Sequence, residues 1–155
     1  MNRSRRIVLK SAGATGAFAA AVAAGLLKPG AAAAAWNKGA FDAKTTADAM
    51  KALGYAGAVE SKDIQIRAPE IAENGAVVPI DITSNIPGTT SISVFIEKNP
   101  FPYTGTFDFS QGSVPYVHLR VKIGESSPVR VVATAGGKHY TTVKEVKVTI
   151  GGCGG

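Results

Sequence analysis

The sequence predicts an all-β fold, an antiparallel β-sandwich with a short N-terminal helix and a flexible, glycine-rich C-terminal arm. Three observations carry this. Apolar residues recur at every second position in a series of short runs between Asp63 and Ile150, the period of a strand that buries one face. Turn-forming pairs separate the runs: Asn74-Gly75, Pro87-Gly88 and Gly136-Gly137,. Helical periodicity is confined to residues 40–53, ahead of the strands. The strands are therefore joined by turns and not by crossover helices, as an antiparallel arrangement requires.

Taken in order, residues 40–53 place Phe41, Ala49, Met50 and Leu53 near one helical face, with Gly54 as the C-terminal stop,. Thr45 and Thr46 weaken the helix locally. Ile64 and Ile66 alternate with Gln65 and Arg67, and Val78, Ile80 and Ile82 with Pro79, Asp81 and Thr83. Pro79 cannot donate to a ladder, which predicts an edge position or a bulge for its strand. Ile92, Val94 and Ile96 alternate with Ser91, Ser93 and Phe95. The Asn99-Pro100-Phe101-Pro102 segment reads as an ordinary loop with Phe101 packed beneath it. Val117, Leu119, Val121 and Ile123 mark a further strand, and Val129, Val131 and Ala133 lead into the Gly136-Gly137 hairpin. Val146, Val148 and Ile150 form the last strand, which runs into the tail. This gives six or seven strands in one domain with one core.

The N-terminus has the layout of an export signal. Paired Arg5 and Arg6 precede an apolar stretch rich in Ala and Gly from Ala12 to Leu27, and the small-residue run Ala31–Ala35 follows,. The arginine pair resembles a twin-arginine (Tat) signal, with Val8 where an aromatic residue is usual. The apolar run is too short and too weakly hydrophobic for a membrane span. Residues 1–35 are accordingly expected to be cleaved, leaving a periplasmic domain of residues 36–150 and an arm of residues 151–155, with no membrane attachment. Arg3, Arg5, Arg6, Lys10 and Lys28 account for five positive charges, so removing them takes the formal net charge from +6 to +1. No basic surface then remains to argue for nucleic acid.

The chain ends Gly151-Gly152-Cys153-Gly154-Gly155, and Cys153 is its only cysteine. A lone cysteine in an exported protein forms no internal disulfide, which leaves an intermolecular bond or a free thiol. Glycine pairs on both sides give a thin tether without side chains to pack. Three residues beyond Ile150, the thiol can stand roughly 10 Å off the sheet. No cation neighbours it in sequence, Lys147 being the nearest, so the tail does not activate its own thiolate. The pattern fits a covalent carrier, a non-enzyme whose chemistry is done by partners. A Cys153–Cys153 disulfide between two copies is expected under oxidation.

Other chemistry has little support in the sequence. His118 and His139 read as solvated surface imidazoles. There is no Cys/His cluster for a metal, and no G-x-S-x-G, phosphate-loop or dinucleotide fingerprint,. No catalytic residue, metal ligand or cofactor is therefore predicted.

The terminal Gly-Gly-Cys-Gly-Gly, the Tat-type signal and the all-β domain together resemble the SoxY family of the periplasmic Sox thiosulfate-oxidation system. The resemblance extends through residues 48–54, 68–79, the Glu97–Pro102 loop and the Lys144–Ile150 lead-in. It implies an immunoglobulin-like sandwich and a heterodimer with a SoxZ-like subunit. It also implies transient visits to a haem c-type SoxAX-like enzyme, a dimanganese SoxB-like hydrolase and, where present, a molybdenum–haem SoxCD-like enzyme. Cys153 would be the substrate attachment site, with Gly151, Gly152, Gly154 and Gly155 forming the arm and no redox centre of the chain's own.

Two other readings fit some of the residues. A ubiquitin-like carrier would bear sulfur as a thiocarboxylate on Gly155, but it needs ATP, and its helix lies between strands. A structural immunoglobulin-like module with an intermolecular disulfide explains the cysteine but leaves the glycines unexplained.

Overall fold

The computed structural model describes residues 36–149. Two short helices precede nine strands: α1 (Lys38–Asp42), α2 (Thr46–Ala52), β1 (Val59–Glu60), β2 (Ile64–Arg67), β3 (Ile71–Ala72), β4 (Val78–Ser84), β5 (Thr89–Ile96), β6 (Tyr103–Asp108), β7 (Tyr116–Val121), β8 (Ser127–Ala135) and β9 (Lys138–Val148).

The single helix expected over residues 40–53 is two helices, and the threonines explain the break. Asn37 caps α1, its Oδ1 accepting from the Ala40 amide at 3.0 Å. Thr45 is extended and caps α2, its Oγ1 accepting from the Asp48 amide at 3.1 Å. A threonine that competes poorly inside a helix serves well at its start. The expected stop at Gly54 holds. Gly54 has φ +77°, its amide reaches the Lys51 carbonyl and the Tyr55 amide reaches that of Met50, the two bonds of a Schellman cap.

The strands form two sheets. The larger has the order β1-β9-β8-β5-β6, with β3 also on β9, and the smaller is β2-β4-β7. Ile64, Val78, Ile80, Ile82 and Val117 of the small sheet meet Ile92, Val94, Ile96, Val129, Val131 and Val146 of the large one in a common core. Alternation places these side chains inward, and burying them drives the sheets together.

The sandwich departs from the expectation in two respects. β1 and β3 pair with β9 in parallel, Val59 opposite Tyr140 and Ile71 opposite Lys147, so the larger sheet is mixed. Two-residue strands carry no periodicity by which to read them. Pro79 lies in the central strand of its sheet, opposite Arg120 of β7. The proline is tolerated because β2 pairs only as far as Asp81, leaving Pro79 at a local edge.

The outer face of the large sheet is also covered. Phe95, Tyr103 and Val132 form a second core with Ala40, Ala49 and Tyr55 of the helical segment. This is why β5 is buried on both faces, and why Ser93, fully buried, shares hydrogen bonds with Tyr55 Oη at 2.7 Å and Thr106 Oγ1 at 2.6 Å. An unbonded hydroxyl there would cost about 1–3 kcal/mol.

Candidate functional site

Residues 151–155, where the arm is expected, follow β9 in sequence, and three loops build a base around the end of that strand. β9 pairs with β8 through Ser127 opposite Val146 and with β3 through Ala72 opposite Val148. The Lys147 amide donates to the Glu70 carbonyl at 2.9 Å and the Thr149 amide to that of Ala72 at 3.2 Å. On the other side the Val148 amide donates to Ser126 Oγ at 2.9 Å. The strand that leads to the arm is thus held on both flanks up to Thr149.

Gly75 completes the base. A Cβ there would run into the Ile123 carbonyl oxygen and stand 2.8 Å from Val148 Cγ1. The Ile123 amide donates to the Gly75 carbonyl at 2.7 Å. The Asn74-Gly75 turn signal therefore has a different cause from the one the sequence suggests. Gly75 has no positive φ. Asn74 forms the turn itself, its Oδ1 accepting from the Ala76 amide at 2.9 Å,, and the glycine is needed for close approach.

The third loop is Glu97–Pro102. Asn99 donates from Nδ2 to the Lys122 carbonyl at 2.8 Å, and its Oδ1 accepts from the Gly124 amide at 3.2 Å. The Lys98 amide donates to Ser127 Oγ at 3.1 Å. One connected set of bonds therefore links this loop, the 122–127 turn and β9. Phe101 is not packed beneath it as expected. It is 50% exposed, with Lys44 Nζ 3.4 Å from its ring centroid. Pro102 is buried instead, its carbonyl accepting from the Ile96 amide at 2.8 Å, and the short loop cannot turn both residues inward. No sequence signal marks Asn99, Ser126 or Ser127 as members of this base, because their partners lie 22–29 residues away.

The histidines are more constrained than expected. His118 is exposed, but its Nδ1 is 2.8 Å from Asp81 Oδ1, which also accepts from Tyr116 Oη at 2.5 Å. These hydrogen bonds, Tyr116's first and His118's second, hold the Asp81 carboxyl below the usual carboxylate range,. Donating that bond raises the Tyr116 hydroxyl in turn. His139 is half-buried against Tyr55, with ring centroids 4.8 Å apart, and shares a hydrogen bond with Thr134 Oγ1 at 3.1 Å. It packs as part of the helix–sheet contact and is not a solvated imidazole.

Among the described residues no group of three or more His, Cys, Asp or Glu could hold a metal, and no helix is long and apolar enough to cross a membrane. A groove at the opposite end of the sandwich is lined by residues such as Ser84, Pro87, Thr89, Phe109, Gln111 and Pro115, with no ionisable side chain. It therefore offers no acid or base. Cys153, Gly151, Gly152, Gly154 and Gly155 lie outside the described residues, as do Ile150, Arg5 and Arg6.

Comparison with known proteins decides the family. The model of the sulfur oxidation protein SoxY matches residues 49–153, a span that closes on Cys153. The chain belongs to the SoxY family. It is similar to the solved sulfur carrier protein SoxY from Chlorobium limicola f thiosulfatophilum, at 44% identity and a TM-score of 0.60 over 67% of this chain and 96% of that one. A superoxide reductase (neelaredoxin) from Ignicoccus hospitalis shares the fold at 19% identity and a TM-score of 0.50, over 68% of this chain and 93% of that one. No curated protein matches the chain. The SoxY match accords with the immunoglobulin-like sandwich expected from the resemblance and places the chain in sulfur oxidation.

Proposed function

We propose that this protein is the covalent sulfur carrier of a periplasmic thiosulfate-oxidation system, with Cys153 as the attachment site. The observation that carries the reading is the family match, which runs through the glycine-flanked cysteine. The similar Chlorobium chain, itself a sulfur carrier protein, supports it.

The chemistry follows from a thiol on a tether. The Cys153 thiolate and thiosulfate join through a new S–S bond to give Cys–S–S–SO3⁻, releasing two electrons that the SoxAX-like haem enzyme accepts. Water then cleaves the terminal S–S bond, giving sulfate, a proton and Cys–S–SH on a SoxB-like hydrolase. A SoxCD-like enzyme, where present, would oxidise the sulfane sulfur that remains. A free persulfide would exchange with other thiols, and covalent attachment keeps it on the carrier between catalysts. Gly151, Gly152, Gly154 and Gly155 leave the arm slim enough for several active sites to admit. The chain needs no cofactor of its own, and a SoxZ-like subunit completes the carrier. Export by the Tat pathway, with Arg5 and Arg6 as its signal, is supported by the layout of residues 1–35.

Intact-mass analysis of protein purified from periplasm tests this. Sulfane and thiosulfate adducts are expected on Cys153 and none on a Cys153→Ser variant. Equal adducts on the variant would refute the site. A modified C-terminal carboxyl would point to the ubiquitin-like mechanism, and disulfide-linked chains alone to a structural module.

A further inference from the structure

We propose that Phe101 is a docking anchor for the enzymes that load and unload the arm, seating in an apolar pocket whose rim carries carboxylates. The inference rests on the carrier reading and specifies how a partner is recognised.

Reach comes first. Cys153 is the fourth residue beyond Thr149, the last with a described backbone bond, so the thiol can reach at most about 13–14 Å from that point. A catalyst whose active site lies inside its own surface must come up against this end of the domain to receive it. The Glu97–Pro102 loop is at this end, joined to the arm's base through Asn99, Gly124 and Ser126.

Phe101 is also held as an anchor should be. Pro100 and Pro102 fix their own φ angles, and the Asn99, Lys98 and Pro102 bonds described above fix the loop on both sides of the ring. Binding to a preformed loop avoids the ordering cost that a flexible one would incur. Aromatic side chains are enriched at the cores of interfaces, and this one exposes half its surface.

Charge indicates the partner. Lys44 lies over one face of the ring, and exposed Lys98 and Lys122 flank the loop. Among the described residues none of the three is in an ion pair, whereas Glu97, the loop's one acid, is bound to Arg130 at 2.6 Å. Exposed Glu125 of the neighbouring turn is outnumbered by these three lysines, so the surround of the ring is net cationic, and acidic groups around the receiving pocket complement it and speed encounter,.

The test is steady-state loading of the purified carrier, with its companion subunit, by the thiosulfate-conjugating haem enzyme. Phe101→Ala is expected to raise KM by on the order of tenfold or more with kcat little changed. Lys98→Glu with Lys122→Glu, both exposed, should raise KM several-fold and flatten its salt dependence. Direct modification by tetrathionate, which transfers an –S–SO3⁻ group to the thiolate and releases thiosulfate, should be unchanged in all variants. Unchanged KM in these variants overturns the proposal and leaves the carrier reading intact. So does loss of the companion subunit, or of a homodimer, from Phe101→Ala, since either would assign the ring to another interface. A wild-type carrier that tetrathionate modifies but the enzyme never loads refutes the carrier reading, and this inference with it.

Discussion

The two ends of the sandwich are built by different means. At the end away from the arm, turns are made by backbone freedom. Gly88, Gly112, Gly136 and Gly137 all have positive φ, and the two-residue Gly136-Gly137 turn closes β8 on β9 with Ala135 opposite Lys138,. At the arm's base the loops are held by side chains: Asn99, Ser126 and Ser127 bond to backbone groups 22–29 residues away, and Gly75 serves packing. A glycine turn connects two strands. A side-chain bond ties a loop to residues distant in sequence, so only the second construction makes several loops move as one body. At the end of β9 such bonds link three loops to one another, whereas at the far end the bond from Thr90 Oγ1 to the Thr134 carbonyl spans a long sequence interval and the bonds of Ser84, Thr89 and Ser110 stay local.

The largest effect expected concerns what lies beyond that base. Cys153→Ser should abolish sulfur loading and the DTT-sensitive dimer while leaving the melting temperature unchanged, read by intact mass, non-reducing electrophoresis and thermal unfolding. A dimer that persists in the variant would refute the disulfide. Gly75→Ala comes next. Its Cβ meets backbone oxygen, which cannot turn aside, so a loss of about 3 kcal/mol is expected by denaturant unfolding,. Gly137→Ala, strained only in φ at +73° with open space around it, should cost about 1–2 kcal/mol. If the order of these two is reversed, the contrast between the ends is wrong.

Asn99→Ala removes two hydrogen bonds and should cost about 1–3 kcal/mol, with faster hydrogen exchange in residues 97–102 and 122–127 together. Faster exchange in only one of these segments would show that they are not coupled. The smallest effect lies on the outer face of the small sheet. Asp81 has a lowered pKa in the fold. Its contribution is therefore complete above its unfolded pKa and is lost as pH falls through the folded value. Melting profiles should show Asp81→Asn losing less stability than the wild type across that acid window, with the two parallel at higher pH.

Much of this architecture can be read in the chain, and the exceptions have a common cause. The longer strands announce themselves because one face is apolar and the other polar, as in Val78–Ser84. Thr45 hides a helix boundary because a cap and a poor interior residue look alike until the backbone is known. β1 and β3 are too short to show a period, and their parallel pairing depends on β9, far along the sequence. Phe101 is as apolar as a core residue, and only the burial of Pro102 shows which of the two faces in. The site divides in the same way. The proposed Cys153 and its glycines are legible as composition, whereas the base at the end of β9 is assembled from contacts between distant residues and leaves no local mark.

β9 has neighbours on both sides, with β8 along its length and β1 and β3 on the other edge. Tension applied beyond Thr149 enters the sheet along the strand axis and loads those ladders in shear, so many bonds must yield together and none can be peeled singly. The domain therefore resists a pull applied beyond Thr149 as a unit.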